Sequence, residues 1–195
     1  MIGLLPSLNR FWRRDPPGYQ PGATLNRLVN NLHPYACERL AASQLRLTLP
    51  QGPVIEVCEQ VQSLFLAHIV THRFRLQGRT ACAEPLVLRV MAGGWLRRRG
   101  VIYRTNARHD GAQRLLAALH RYPQIGATLA QLDFRRATLA LNEGNWTLDI
   151  EHFAASEVVS RLPAGRRYLR LVAEQRRLLL SSFLMINQLM EKCDE

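Results

Sequence analysis

The chain of 195 residues is long enough to bury the core of one domain, and its 47% hydrophobic and 21% charged residues exclude a chain that is disordered throughout. The net charge of +11 comes almost wholly from arginine, because Lys192 is the only lysine, and this excludes a phosphate-binding P-loop, whose motif needs a lysine after a glycine. No uninterrupted apolar run is close to the length of a membrane span, which needs about 18 residues, so we expect no integral membrane insertion.

The first residues, MIGLLPSLNRFWRRDPPGY, lack the basic start and the long apolar stretch of a secretory signal. The proline- and glycine-rich DPPGYQPG then indicates a linker, so we divide the chain into an N-terminal arm (1–22) and a single α+β domain (23–195). No two cysteines form a Cys-x-x-Cys pair, and a domain of this size builds its own core. We therefore expect reduced thiols and a cytoplasmic location.

Residues 24–44 predict two short helices, the first capped by Thr24 and the second starting with Pro34 in its first turn. From Leu45 the hydrophobic period changes to two, which indicates strands in LRLTL, VIEVCEQV and LFLAHIVTHRFRLQ. The third of these has the longest alternation. It places His68, Val70, His72, Phe74 and Leu76 on one face, with Arg73 and Arg75 on the other.

LVLRVM and WLRRRGVIYRT flank Gly93 and Gly94, which predicts a hairpin. A helix follows with Asp110 as its N-cap, then a shorter helix in IGATLAQL and a second hairpin around NEGN. The last 27 residues before the C-terminal tail, from Arg166 to Lys192, contain neither glycine nor proline and predict one long helix.

These elements predict an α+β fold: a curved antiparallel sheet of about six to seven strands with N-terminal helices, a helical insertion and a long C-terminal helix packed on the sheet. The second half of that helix is almost wholly apolar, so either this chain or a partner must bury it. A homodimer through the C-terminal helix is therefore possible.

Two stretches, GYQPGATLNRLVNNLHPY (18–35) and LDIEHFAASEVVSRLPAGRRYLRL (148–171), resemble a family of uncharacterised proteobacterial proteins. The resemblance covers most of the chain and rests on these two sequence stretches rather than on a motif of catalytic or ligand-binding residues. It implies a bacterial cytoplasmic protein with one domain, and it assigns no activity and no site residue.

The sequence contains no nucleophile elbow, no Ser-x-x-Lys and no dinucleotide-binding glycine pattern, so we expect no cofactor and no catalytic residue. His68 and His72 have a metal-ligand spacing only on a helix, and on a strand they lie about 13 Å apart, so we expect no metal. They share a predicted face with His152, however, and two of the three could meet if their strands are neighbours. The acids, including Glu56 and Glu59, mostly fall on predicted solvent-facing positions.

The hairpin segment GGWLRRRG carries the main functional hypothesis. With a two-residue turn Arg89 lies opposite Arg98, and with a three-residue loop it lies opposite Arg97. Like charges directly opposite each other are destabilising, so either a nearby acid such as Glu56 or Glu59 or a bound anion must compensate. The predicted anion-binding residues are Arg73, Arg75, Arg89, Arg97, Arg98 and Arg99.

The leading hypothesis is a non-enzymatic bacterial binding protein that holds an anionic partner on this arginine-rich sheet face: nucleic acid, a nucleotide-like ligand or an acidic protein. The alternative is a carrier of the helix-grip kind, with an apolar ligand in a cavity under the C-terminal helix. A cavity enzyme that uses the histidines comes third. The residues expected to line the apolar pocket are Trp146, Leu179, Phe183, Ile186 and Met190.

Overall fold

The computed structural model describes residues 15–50, 52–93 and 100–194, and within them it contains four helices and ten strands. The helices are α1 (Ala23–Leu32), α2 (Asp110–Arg121), α3 (Pro123–Gln131) and α4 (Ala173–Asp194). The strands are β1 (Ala36–Ala41), β2 (Gln44–Thr48), β3 (Val54–Ser63), β4 (Ala67–Arg79), β5 (Leu86–Ala92), β6 (Val101–Arg104), β7 (Phe134–Asn142), β8 (Asn145–His152), β9 (Ser156–Arg161) and β10 (Ala164–Leu169).

All the strands belong to one antiparallel sheet with the order β1-β2-β3-β4-β8-β7-β5-β6. The sheet forks at β4, because the second half of this strand pairs with β8 while its first half pairs with β9. The strand β10 pairs with β9 and completes the branch. The predicted α+β antiparallel fold is confirmed, with ten strands where six or seven were expected.

The alternation of the sequence explains the two faces of this sheet. Along β4, His68, Val70, His72, Phe74 and Leu76 are buried, whereas the residues between them are mostly half-exposed. The buried side chains form the inner face, which shares one core with all four helices. The turn between β7 and β8 forms because Glu143 and Gly144 both have positive φ, as a two-residue hairpin turn of this kind requires.

The helix α4 supplies much of the cover on the inner face. Its 22 residues make it about 33 Å long, and it contacts α1, α2 and α3. Most apolar residues of its second half pack into the core of this chain: Ile186, Leu189 and Met190 are buried, and Leu184 and Met185 are half-buried. No helix in the described ranges is long and apolar enough to cross a membrane.

Several helical predictions are wrong in part. The N-cap of α2 is His109, whose Nδ1 accepts from the Ala112 N–H, rather than Asp110. Of the two helices expected in 24–44 only α1 forms, and Ala36–Ala41 is an edge strand paired with β2. Thr24 does not cap α1, because Gly22 precedes the helix and the Thr24 hydroxyl hydrogen-bonds to Glu157 instead. The long C-terminal helix begins at Ala173 rather than at Arg166, since Ala164–Leu169 is the edge strand β10.

Candidate anion-binding site

The outer face of the sheet carries a row of alternating charges in direct cross-strand register. Neighbouring strands place Glu38, Arg46, Glu56, Arg75 and Asp149 side by side. The Arg46 guanidinium lies 3.1 Å from the carboxylate of Glu38, and Arg75 donates to both oxygens of Asp149 at 2.8 Å. These hydrogen bonds raise the pKa of Arg75. We call these five residues the charge-paired row.

The alternation stops after Asp149. Continuing in the same register, β7 contributes Thr138, β5 contributes Arg89 and β6 contributes Arg104. Two arginines therefore lie directly opposite each other at this end of the sheet. The prediction that Arg89 faces another arginine is right, but both predicted registers are wrong. The partner of Arg89 is Arg104 rather than Arg97 or Arg98. The hairpin closes with a hydrogen bond from the backbone N–H of Gly93 to the carbonyl of Gly100.

A second row of charges lies next to the first one. Arg73 of β4 pairs with Glu151 of β8, which pairs with Arg136 of β7. The register of β7 shifts between Phe134 and Arg136, and this irregularity adds Arg135 beside the same carboxylate. The Arg135 guanidinium lies 3.0 Å from Glu151 and donates to Gln62 at 2.9 Å.

Between the two rows lies a groove of about 560 Å³, which we call the basic groove. It is lined by four arginines, two acids and a partly apolar floor: Arg73, Arg89, Arg135, Arg136, Asp149 and Glu151, with Gln60, Val87, Val90, Met91, Ala137 and Thr138.

Both acids in the basic groove are already engaged, because Arg75 holds Asp149 from outside the groove and Arg135 holds Glu151. In the part of the chain that the structure describes, Arg89 and Arg136 have no carboxylate within 4.0 Å. The Nε of Arg73 is buried 3.9 Å from Asp149 and has no hydrogen-bond partner among the described residues. The groove thus presents guanidinium donors that the described residues leave unused.

The predicted anion-binding residues lie in three places. Arg73 and Arg89 both line the basic groove, whereas Arg75 belongs to the charge-paired row. Arg97, Arg98 and Arg99 lie outside the described residues, in the connection between β5 and β6. Sequence reasoning missed Arg135 and Arg136, although two adjacent arginines at the start of a strand break its alternation and could have indicated the irregularity.

The residues predicted to line an apolar pocket lie in two different places. Leu179, Phe183, Ile186 and Trp146 are packed in the core, and the indole of Trp146 lies against Gly78. Met190 alone among them lines a cavity of about 410 Å³ between α2 and the end of α4. That cavity has an apolar floor and two arginines of α2: Arg114 and Arg121.

The three histidines of interest are all buried on the inner face but have different neighbours. His72 bonds to the carbonyl of Ala155, His152 bonds to Gln175 at 3.0 Å, and the ring of His68 meets that of Tyr19. Burial lowers the pKa of each of them. No group of three possible metal ligands occurs in the described ranges.

Glu59 corrects an expectation about the acids. Its side chain is fully buried on the inner face, where it accepts hydrogen bonds from the Tyr19 hydroxyl (2.8 Å) and the Gly22 N–H (2.6 Å). Its other oxygen lies 3.8 Å from Nε2 of His72. Glu59 therefore cannot compensate the positive charge of Arg89. Glu56 belongs to the charge-paired row and lies opposite Arg46 and Arg75 instead.

Comparisons with known proteins place the chain in a family but give no activity. No curated protein and no solved structure matches it. A family model matches residues 30–190, which is most of the chain and confirms the resemblance to an uncharacterised family. The chain therefore belongs to the family described as "Protein of unknown function (DUF3156)".

Proposed function

We propose that this protein is a non-enzymatic binding protein of the bacterial cytoplasm that holds a nucleic-acid strand in the basic groove. The single observation that carries the proposal is the end of the charge alternation after Asp149, beyond which arginines lie opposite each other or without a carboxylate. Such an arrangement costs stability unless an anion compensates it.

The shape of the site favours an extended polyanion. The arginines of the basic groove come from β4, β7 and β5, which span three strand spacings in the sheet order, or about 14 Å at about 4.8 Å per strand. A single phosphate or a mononucleotide would contact only part of that span. Arginine also binds phosphate oxygens in a bidentate manner, which suits a row of phosphates along a strand.

The test is fluorescence anisotropy with a labelled single-stranded oligonucleotide, repeated at several salt concentrations. We expect Arg89→Gln/Arg136→Gln to weaken binding by about tenfold or more and to reduce the dependence on salt, because each lost phosphate contact removes about 0.7 from the slope of log K against log salt. A second variant, Arg97→Ala/Arg99→Ala, measures the contribution of the β5–β6 connection.

Arg46→Gln is the matched control. It removes one positive charge from the same face, but Arg46 lies between Glu38 and Glu56. Arg89→Gln alone, which also removes one charge, is measured beside it. If the control weakens binding as much as Arg89→Gln, the oligonucleotide responds only to overall charge and the proposal is wrong. If acidic peptide binds at the groove and oligonucleotide does not, the partner is an acidic protein.

The cavity of about 410 Å³ favours a second candidate function. Its apolar floor and the two arginines of α2 suit a small ligand with an apolar body and an anionic head. A medium-chain fatty acid should raise the melting temperature of the wild type, and Met190→Trp, which fills the cavity, should abolish that rise. An equal rise in the variant would contradict a carrier role for this cavity.

A further inference from the structure

Two neighbouring turns of the forked branch expose apolar side chains. The β3–β4 turn exposes Leu64 and Leu66, and between them Phe65 has 92% of its surface accessible. In the β9–β10 turn, Leu162 is 73% exposed. Leaving a phenylalanine almost wholly in water is unfavourable, so this position calls for a partner.

The two turns form one surface. The N–H of Arg161 donates to the carbonyl of Leu66 at 2.8 Å, and Ala67 pairs with Ser160 directly beside it. A hydrogen bond of 2.8 Å from Leu64 to Ala67 closes the first turn. We call the four exposed side chains the apolar tip: Leu64, Phe65, Leu66 and Leu162.

The charges beside the apolar tip are positive. Arg161, Arg166 and Arg167 are exposed on β9 and β10. The only acid in residues 156–169 is Glu157, whose side chain is buried and lies 2.9 Å from Arg27 and 3.7 Å from Arg166. Residues 60–72 contain no Asp, Glu, Lys or Arg at all.

We propose that the apolar tip docks on an anionic phospholipid surface. Phenylalanine and leucine enter the boundary between headgroups and acyl chains, while the arginines beside them contact lipid phosphates. A second copy of the chain fits less well, because a stable dimer buries about 800 Å² per partner and four side chains on two turns offer much less than that. The apolar tip is formed by the β3–β4 and β9–β10 turns, and none of its four residues lines the basic groove.

Co-sedimentation with vesicles tests the proposal. The probes are vesicles of phosphatidylcholine alone and of equal parts phosphatidylcholine and phosphatidylglycerol. We expect Phe65→Ser/Leu162→Ser to reduce partitioning into the mixed vesicles by about tenfold or more, because the apolar side chains no longer enter the bilayer. The control Phe153→Ser removes a half-exposed phenylalanine outside the apolar tip, at the β8–β9 junction, and should leave partitioning unchanged.

Overall positive charge also attracts anionic vesicles, so the measurement is repeated at high salt. Binding through the apolar tip should persist in part at high salt, whereas adsorption by charge alone should vanish. Arg161→Gln/Arg167→Gln should reduce the preference for phosphatidylglycerol, and Arg89→Gln/Arg136→Gln should not affect the high-salt binding. The outcome of this test is therefore independent of nucleic-acid binding in the groove.

A tryptophan at position 65 reports the contact directly. On the mixed vesicles, Phe65→Trp should show a blue-shifted emission that brominated lipids quench, measured as the difference from the wild type. An unshifted emission, or equal partitioning of wild type and Phe65→Ser/Leu162→Ser, would overturn the proposal. A dimer in solution that Phe65→Ser/Leu162→Ser converts to a monomer would overturn it in favour of a second copy.

Discussion

The charge-paired row and the basic groove lie on the same sheet face and contain the same kind of residue, yet they use it differently. In the charge-paired row, Arg46 and Arg75 each lie between two acids in neighbouring strands. In the basic groove, Arg89 lies between a threonine and another arginine. The cross-strand neighbours of an arginine therefore determine whether carboxylates already occupy its donors.

The charge-paired row and the basic groove also differ in how the interactions of their arginines contribute to stability. Exposed ion pairs such as that of Arg46 contribute about 0–1 kcal/mol each. Like charges directly opposite, as at Arg89 and Arg104, cost about 0.2–1 kcal/mol. The burial of apolar side chains on the inner face contributes more to stability than these surface charges do, and it outweighs the cost of the Arg89–Arg104 pair.

Reversing charge in the basic groove should have the largest effect. Arg89→Glu/Arg136→Glu replaces two donors by two acids, so we expect oligonucleotide affinity to fall by about 100-fold or more, which corresponds to about 2.7 kcal/mol. Anisotropy at low salt measures this change, and circular dichroism confirms that the variant is folded. Affinity within a few-fold of the wild type would remove the distinction between the two regions.

Lowering the pH should separate binding from stability. Burial lowers the pKa of His68, His72 and His152, so the unfolded chain binds more protons than the folded one. The stability that these neutral histidines contribute is present above the unfolded pKa of about 6.5 and is lost as the pH falls below it. We expect the free energy of unfolding to drop by about 2 kcal/mol or more between pH 7 and pH 5.

Urea unfolding at several pH values measures that drop. His72→Gln, which removes one of the three buried imidazoles, should make the drop smaller. The guanidinium groups of the basic groove keep their charge over this range, so oligonucleotide affinity should be nearly flat between pH 6 and pH 8. A steep change of affinity there would show that a histidine, rather than arginine alone, takes part in binding.

Removing an acid from the charge-paired row should leave an arginine there without a bonded carboxylate, as Arg89 and Arg136 are among the described residues of the basic groove. Asp149→Asn takes away the bidentate partner of Arg75 and the nearest carboxylate of Arg73. We expect a loss of about 1 kcal/mol in the free energy of unfolding and a gain of a few-fold in oligonucleotide affinity. Unchanged affinity would indicate that freed arginines on this face do not suffice for binding.

The smallest effect should come from Arg46→Gln. Its ion pair with Glu38 is exposed on both sides, so the free energy of unfolding should change by less than about 0.5 kcal/mol. Equilibrium unfolding in urea measures it. A loss well above 1 kcal/mol would mean that the charge-paired row holds the edge strands together as a network.

The parts of the fold that the sequence predicts well are those in which local pattern and tertiary environment agree. The long alternation of β4 and the turn between β7 and β8 are examples. The composition of Ala36–Ala41 predicts a helix, because Ala, Glu, Arg and Leu favour helices, whereas pairing with β2 holds the segment as a strand. The same difference occurs at residues 166–169, which pair with β9.

The candidate site could be predicted only in part, because it depends on pairing between strands that are distant in sequence. Arg73 and Arg89 were found from their outward positions along their own strands. Their placement in one groove follows from β8 and β7 lying between β4 and β5, which no local pattern encodes. The hairpin between β5 and β6 closes with the hydrogen bond between Gly93 and Gly100, so its connection is longer than the two- or three-residue turn that the sequence predicts. The longer connection places Arg104 opposite Arg89.

The fork at β4 has a consequence for how this family can vary in length. This strand pairs with β3 along one edge and with β8 and β9 along the other, so one inserted residue would turn Arg73 and Arg75 inward and Phe74 outward on several pairings at once. Among the strands that the structure describes, the edge strand β6 pairs only with β5. Among related chains, we therefore expect Ala67–Arg79 to keep its length without insertions or deletions, and length differences to accumulate around β6.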